Sequence, residues 1–398
     1  MASAGTTIGS LDATTKAALS EEQIALRQAV RSFMDTRIEP IIAECEREGR
    51  LPVEVLTDLA QFGYLGGILA EDRGGMGLTY TDLAVIMEEA GYHWMSLRST
   101  LSVINMVALM LDRAASDVQR KTYLEPLLRG ERLCWFGLTE PEHGSDVRVL
   151  NTVAVEDSSG DFRISGTKLW ITNGAIGDFG IVLANVKRLD GTEGGLTAFL
   201  IDPSLCTFEG HRIETMFIKA TTTSELVFDE TIVSADMMVG EVGMGHSLFM
   251  KGLDLGRLNV AMGAIGTGQR ALDMSIRYAR EHEQFGKRIG EFQLVQELIA
   301  DMRMQSCAAR ALGYATARML DAGGVNQTDC AVAKLFATET AFSIADKALQ
   351  VHGGMGLSME YGLERIFRDT RGGRTVEGTP QIQRLVIARD QLGISAFN

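Results

Sequence analysis

Glu377 is the residue with the clearest chemical meaning. It stands in Arg374-Thr375-Val376-Glu377-Gly378-Thr379-Pro380-Gln381-Ile382-Gln383-Arg384. A carboxylate beside a glycine can be desolvated by a bound substrate and still move, which suits a general base taking a proton from a weakly acidic C–H. Upstream lies Gln350-Val351-His352-Gly353-Gly354-Met355-Gly356. At the start of a helix, such a glycine turn would offer bare backbone N–H groups to a nucleotide phosphate. A base and a phosphate cradle so close in sequence suggest proton abstraction coupled to a nucleotide cofactor.

The elements that must hold these residues have a simple order. Residues 21–130 read as helices: Ser20-Glu21-Glu22-Gln23 has capping-box character, followed by Ile24, Leu26, Val30 and Phe33. Strand-like runs follow at Thr152–Val155, Phe162–Ile164, Phe179–Val186, Leu196–Ile201 and Glu225–Ile232. The helical period then returns in Leu253–Arg280, Phe292–Leu320 and Asp329–Val351. The order helical, β, helical lacks βαβ alternation and argues against a doubly wound nucleotide fold. It predicts an α+β, mostly α chain with a disordered leader at 1–19, a helical domain at 20–130, a β domain at 131–240 and a helical domain at 241–398.

Composition narrows the function classes. With 398 residues the chain can bury a large core in more than one subdomain. A hydrophobic share of 45% and a charged share of 23% are ordinary for a soluble protein. The net charge of −14 argues against nucleic acid as a partner. Cys45, Cys134, Cys206, Cys307 and Cys330 are odd in number and scattered, which favours a reducing compartment such as the cytoplasm. Neither the cysteines nor the six histidines have metal-ligand spacing, and no apolar run is long enough to span a membrane.

Several further segments resemble the acyl-CoA dehydrogenase family. Leu138-Thr139-Glu140-Pro141-Glu142-His143-Gly144-Ser145-Asp146 and Lys168-Leu169-Trp170-Ile171-Thr172-Asn173 are similar to its two flavin signatures. Gln284-Phe285-Gly286 with Phe292-Gln293, the run Gln350 to Gly356, and Val376-Glu377-Gly378-Thr379 are similar to its C-terminal motifs. Five motifs in the family's order are specific where one alone would be weak. The resemblance implies a helical N-terminal domain, a middle β-barrel and a C-terminal four-helix bundle. It also implies a homotetramer, FAD as cofactor, an acyl-CoA substrate and an electron-transferring flavoprotein as acceptor. Glu377 would then remove the α-proton while the β-hydrogen leaves as hydride to the flavin.

The resemblance also assigns roles. One subgroup of the family carries its base on the long helix in a Leu-Asp-Leu-Glu-Arg run, but here Leu253-Asp254-Leu255-Gly256-Arg257 has glycine at that place. Burial by substrate would raise the Glu377 pKa. Its backbone N–H would polarise the thioester oxygen, a contact worth about 3–4 kcal/mol by analogy with oxyanion donors. Phe136, Leu138, Thr139, Trp170 and Thr172 would surround the flavin ring. Gln350, Gly353, Gly354, Thr379 and Gln381 would hold the pyrophosphate and adenosine, with Phe285 and Gln293 contributed by a partner subunit. A barrel-core tryptophan is the plain alternative for Trp170. Ser145, Asp254 and Arg257 would meet CoA; a turn serine and an i,i+3 ion pair explain them as well. Two departures stand out. His282 replaces an arginine that faces the pyrophosphate, and Ser224 replaces an arginine near CoA.

Ser96-Leu97-Arg98-Ser99-Thr100-Leu101 is similar to the glutaryl-CoA dehydrogenase segment in which an Arg-Ser pair, here Arg98 and Ser99, meets a distal carboxylate. A guanidinium at the closed end of an acyl pocket would be costly without such an anion, although an arginine at a helix start is the plain reading. Tyr92, His93 and Trp94 would floor a wider pocket. Val376 stands where decarboxylating members carry tyrosine. These residues together predict a dicarboxylic acyl-CoA, glutaryl-CoA or a substituted succinyl-CoA such as benzylsuccinyl-CoA, oxidised with its carboxylate kept. A short or branched monocarboxylic acyl-CoA, or a carrier-protein-linked thioester, is the alternative.

Overall fold

The structure, a computed structural model, describes residues 13–324 and 327–397. Most of the expected leader lies outside these residues, but its end does not. Ala13–Ala18 form a helix, α1, and Thr15 and Leu19 are buried. Alanines favour the helix, and α1 packs against a later helix, so order begins ahead of residue 20.

Seven more helices precede the strands: α2 (Glu21–Phe33), α3 (Ile42–Glu48), α4 (Glu54–Ala60), α5 (Tyr80–His93), α6 (Met95–Ala114), α7 (Asp117–Gln119) and α8 (Glu125–Leu128). Strands β1–β8 span Cys134–Gly137, Val153–Glu156, Phe162–Ile171, Phe179–Lys187, Glu193–Ile201, Glu209–Arg212, Ser224–Val233 and Met238–Val239. Then come α9 (Gly245–Glu281), a hairpin of β9 (Glu283–Gln284) and β10 (Lys287–Arg288), α10 (Gln293–Asp321), α11 (Gln327–His352), α12 (Leu363–Gly373) and α13 (Pro380–Leu392). No helix among the described residues is long and apolar enough to cross a membrane.

These elements form two compact units. One takes residues up to 43, 79–98 and 257 onward; the other takes 44–78 and 99–256. The first unit is helical. Its α9–α12 segments share a core that includes Leu272, Ile344, Ala345, Leu363 and Ile366. Ser20 caps α2 by accepting from the Gln23 backbone N–H, as the sequence predicts. Packing of α2, α5 and α10 is fixed by ion pairs away from water. Buried Glu88 accepts from Arg27 Nη2 (3.2 Å), Arg310 Nε (3.0 Å) and the Tyr314 hydroxyl (2.7 Å). Burial alone would raise the Glu88 pKa, but the two guanidiniums and the phenol hold it below the usual carboxylate range.

The second unit is built on an eight-stranded sheet in the order β6-β7-β3-β2-β4-β5-β8, with β1 paired in parallel to β4. The expected middle β domain is present, with β6 and β8 ending the strand order among the described residues. Inward positions of its strands supply Trp135, Phe162, Phe199, Phe228 and Val182 to one apolar core. Phe162 and Phe199 meet edge to face at 4.9 Å.

Glu88→Gln leaves two buried guanidiniums facing a neutral amide, so it should lower the unfolding free energy by about 3–5 kcal/mol. Because the Glu88 pKa is depressed by folding, its contribution is complete at neutral pH and is lost as acid protonates it. The variant's stability, measured by urea unfolding at several pH values, should accordingly change less on acidification than the parent's.

Candidate active site

In the helical unit, Glu377 lies on a turn between α12 and α13. The Thr375 N–H and hydroxyl both donate to the Gly372 carbonyl, at 2.9 and 2.7 Å, closing the end of α12. Thr379 caps α13 by accepting from the Ile382 N–H, and Pro380 fits the first helical turn without a lost donor. Between them the backbone turns left-handed, with φ 54° at Glu377 and 99° at Gly378. A Cβ at Gly378 would lie 2.5 Å from Gln383 Nε2, so only glycine fits there. Lys334 Nζ, buried on α11, donates to the carbonyls of Arg374 and Gly378 at 2.8 Å each. Gln383 Nε2 on α13 donates to the carbonyls of Glu377 (2.9 Å) and Gly378 (3.1 Å). Arg374 forms a two-point pair with Glu339 of α11 at 2.6 and 2.9 Å. The turn is therefore tied to α11 and α13 at residues 374, 377 and 378.

Arg98, in the first turn of α6, is buried and lies in electrostatic reach of Glu377 and of Asp369 on α12. Gly263 of α9 makes room for it: a Cβ there would be 2.7 Å from Arg98 Cδ. Desolvation brings the Arg98 pKa down to about 10, and the two carboxylates only partly oppose it. Lys334 comes down to about 8, chiefly by burial, against the pull of Glu377. Helix packing thus assembles a carboxylate and two cations from segments far apart in sequence.

In the sheet unit the two flavin-like segments lie side by side: the Leu169 N–H donates to the Thr139 carbonyl at 2.8 Å. Between Lys168 and Ile171 the β3–β7 register shifts. At this bulge Trp170 has φ 64° and is 56% exposed. An exposed tryptophan excludes the barrel-core alternative. Phe136, on β1, stacks on Phe249 at 5.8 Å. Sequence reasoning passed over the support beneath. Lys168 Nζ and Glu140 are both buried and 2.8 Å apart. Glu140 also accepts from the backbone N–H groups of Asn151 (2.5 Å) and Thr152 (2.9 Å) and from the Thr152 hydroxyl (2.6 Å). Lys168 Nζ reaches the Leu138 carbonyl at 3.2 Å. The charge opposite Lys168 was the missed signal, since both residues lie within the quoted motifs.

Some expectations change. Gly353 and Gly354 follow the C-terminus of α11 and open a short 3₁₀ turn, Gly353–Leu357, rather than an α-helix, with Gly353 left-handed at φ 57°. The helix N-terminus near Glu377 is that of α13, where Thr379 and Gln381 stand. Tyr92 and His93 are engaged by charged and polar groups. The Tyr92 ring lies between the guanidiniums of Arg31 and Arg270 and its hydroxyl donates to Asp273, while His93 meets Glu89 O and Asp35 Oδ1. Ser224 is buried and bonds the Thr222 carbonyl and Ala175 N–H. His282 stacks on Tyr278 at 4.7 Å, which stacks on His352 at 4.4 Å. Ser145 is exposed in the loop after β1, Ser99 is buried on α6, and Asp254 and Arg257 both lie on α9. Thr172 follows β3, Gln293 opens α10, and Gln350 is exposed near the end of α11.

The residues present suit a flavin nucleotide. Trp170 offers a bare aromatic face. A Cβ at Gly353 or Gly354 would meet nothing within 4 Å, so their backbone is open to a ligand. The side-chain amide of Asn173, next to Thr172, is buried with no hydrogen bond at either end. Phe285, at the left-handed tip of the β9–β10 hairpin, is 93% exposed.

Comparison with known proteins agrees. Three models match in chain order: acyl-CoA dehydrogenase N-terminal domain at residues 20–131, middle domain at 135–231 and C-terminal domain at 243–392. The chain is 35% identical over 376 residues to a short-chain-specific acyl-CoA dehydrogenase of Clostridium acetobutylicum, covering 93% of this chain and 98% of that one. It is 34% identical over 388 residues to glutaryl-CoA dehydrogenase of Desulfococcus multivorans, covering 96% and 99%. A glutaryl-CoA dehydrogenase from Mycobacterium smegmatis in complex with FADH2 superposes with a TM-score of 0.91 at 29% identity, covering 96% of this chain and 98% of that one. The chain belongs to the acyl-CoA dehydrogenase family. It is an FAD-dependent oxidoreductase with that family's fold.

Lys168→Met leaves the Glu140 carboxylate buried without its counter-charge, which should cost about 3–5 kcal/mol of stability. Since the pair supports Leu138 and Thr139, the variant should also release FAD more readily, read as flavin fluorescence appearing on dilution.

Proposed function

We propose that this enzyme oxidises the α,β-bond of an acyl-CoA thioester with a distal carboxylate, and that the carboxylate is kept. FAD, when bound, supplies the two-electron acceptor for the β-hydrogen. Glu377 takes the α-proton on its side chain, and its backbone N–H polarises the thioester carbonyl. Trp170, Thr172, Phe136, Leu138 and Thr139 shape the flavin-ring site. Gly353, Gly354, Gln350, Thr379 and Gln381 take its phosphate and adenosine end, with Phe285 and Gln293 acting on a neighbouring copy. Ser99 assists Arg98 at the far end of the acyl chain, while Ser145, Asp254 and Arg257 serve CoA.

The observation carrying the substrate reading is Arg98. Its guanidinium is buried, its Nε finds the Met95 thioether at 3.3 Å, and two neighbouring carboxylates leave its desolvation under-compensated. A substrate carboxylate would complete the compensation. Val376 puts an aliphatic side chain before the base, with no hydroxyl to pass a proton during carboxylate loss. A second reading, a short monocarboxylic substrate, is favoured by the short-chain-specific relative and by a purely structural pairing of Arg98 with Asp369 and Glu377. A homotetramer passing electrons to an electron-transferring flavoprotein completes the proposal. Exposed Phe285, Leu294, Leu357 and Met359 on the helical unit support assembly.

Two measurements test this. Glu377→Gln should slow flavin bleaching by the best thioester by about 10²–10⁴-fold; bleaching at normal speed would reject the base. Arg98→Met should lower kcat/KM for glutaryl-CoA or a substituted succinyl-CoA by about 10²-fold while sparing butyryl-CoA. Release of CO₂, or a parent preference for butyryl-CoA, would reject the dicarboxylate reading.

A further inference from the structure

Lys334 had no place in the chemistry outlined from the motifs, yet it is among the largest fully buried side chains of the protein. A lysine on a helix normally turns its ammonium to water. Here Nζ points into the fold and spends its donors on two carbonyls that bracket Glu377, those of Arg374 and Gly378. We propose that Lys334 is a positioning residue for proton abstraction: its ammonium fixes the turn that presents Glu377 and sets a positive charge beneath it. The proposal rests on the reading of Glu377 as the base.

Three observations support it. First, a left-handed glutamate is uncommon and persists only where its surroundings over-determine it. Lys334 and Gln383 together make four hydrogen bonds to carbonyls of residues 374, 377 and 378. Second, all four go to carbonyl oxygens, leaving the Glu377 N–H and side chain outside the clamp. Third, charges from several elements meet around the turn, Arg98 and Lys334 among them acting on each other as well as on Glu377. Arg98 of α6 and Lys334 of α11 both face Glu377, and Arg257 of α9 faces Lys334. Asp369 of α12 faces Arg98, and Glu339 of α11 faces Lys334 but is held by Arg374. A cation beside a carboxyl lowers its pKa, so removing the Lys334 charge must raise that of Glu377.

The test is the pH dependence of flavin reduction by the best thioester in the FAD-loaded protein, from about pH 5 to about pH 9. Lys334→Met should slow reduction at least about ten-fold with little change in KM, and move the acid limb of kcat/KM up by about one unit. Gln383→Met removes two clamp bonds but no charge. It should slow reduction with the acid limb unmoved. Lys334→Arg keeps the charge with displaced donors. It should restore the acid limb more than the rate. A Lys334→Met protein with parental rate and parental acid limb overturns the proposal. Should that variant not fold, parental rates in both Gln383→Met and Lys334→Arg overturn it equally. Failure of the base itself shows separately, as Glu377→Gln protein that bleaches at normal speed.

Discussion

A strained turn in this protein depends on a buried ammonium. The left-handed glutamate at position 377 costs about 1–3 kcal/mol, and the Lys334 ammonium is itself expensive to remove from water. Each hydrogen bond from a charged donor returns about 1.5–3 kcal/mol and each neutral one about 0.5–1.5 kcal/mol. Two of each kind, from Lys334 and Gln383, outweigh the strain. The end of α12, the cap of α13 and the Arg374–Glu339 pair then leave the turn little freedom.

The sheet unit solves a parallel problem with the same residue type. Its loop carrying Leu138 and Thr139 has no regular structure of its own. The Glu140–Lys168 pair supplies what a strand ladder would otherwise give, gathering five hydrogen bonds around one carboxylate and one carbonyl. The net charge of −14 conceals this arrangement. Anions outnumber cations overall, but four cations, Lys168, Lys334, Arg98 and Arg257, are buried in or beside the motifs.

The long helices were legible because a period near 3.6 runs for many turns, and α9–α11 fall close to the expected spans. Strands β3, β4, β5 and β7 were legible from β-branched and aromatic runs, although β3 runs on through Ile171. Strands β1, β6 and β8, at two to four residues, were too short to carry an alternation. Glu377, Arg98 and Trp170 stood out through their motifs. Lys334 and Gln383 did not, because a lysine or glutamine on a helix looks solvated until tertiary packing shows what lies above it. The glycine turn was misplaced for a related reason: Gly-Gly marks a helix end or a helix start equally well, and only packing decides.

The helical unit is assembled from three separate stretches of chain, two near the N-terminus and one beginning at residue 257. Arg27 and Glu88 emerge from the ribosome long before Arg310 and Tyr314, which complete their buried network. With synthesis at about 5–20 residues per second, the early helices wait on the order of ten seconds or more with an unsatisfied charged face. The sheet unit, by contrast, has its whole sequence available by residue 256. Nascent chains of this protein therefore pass through a stage in which one body can be finished while the other is still an open set of helices, exposed to chaperones and proteases.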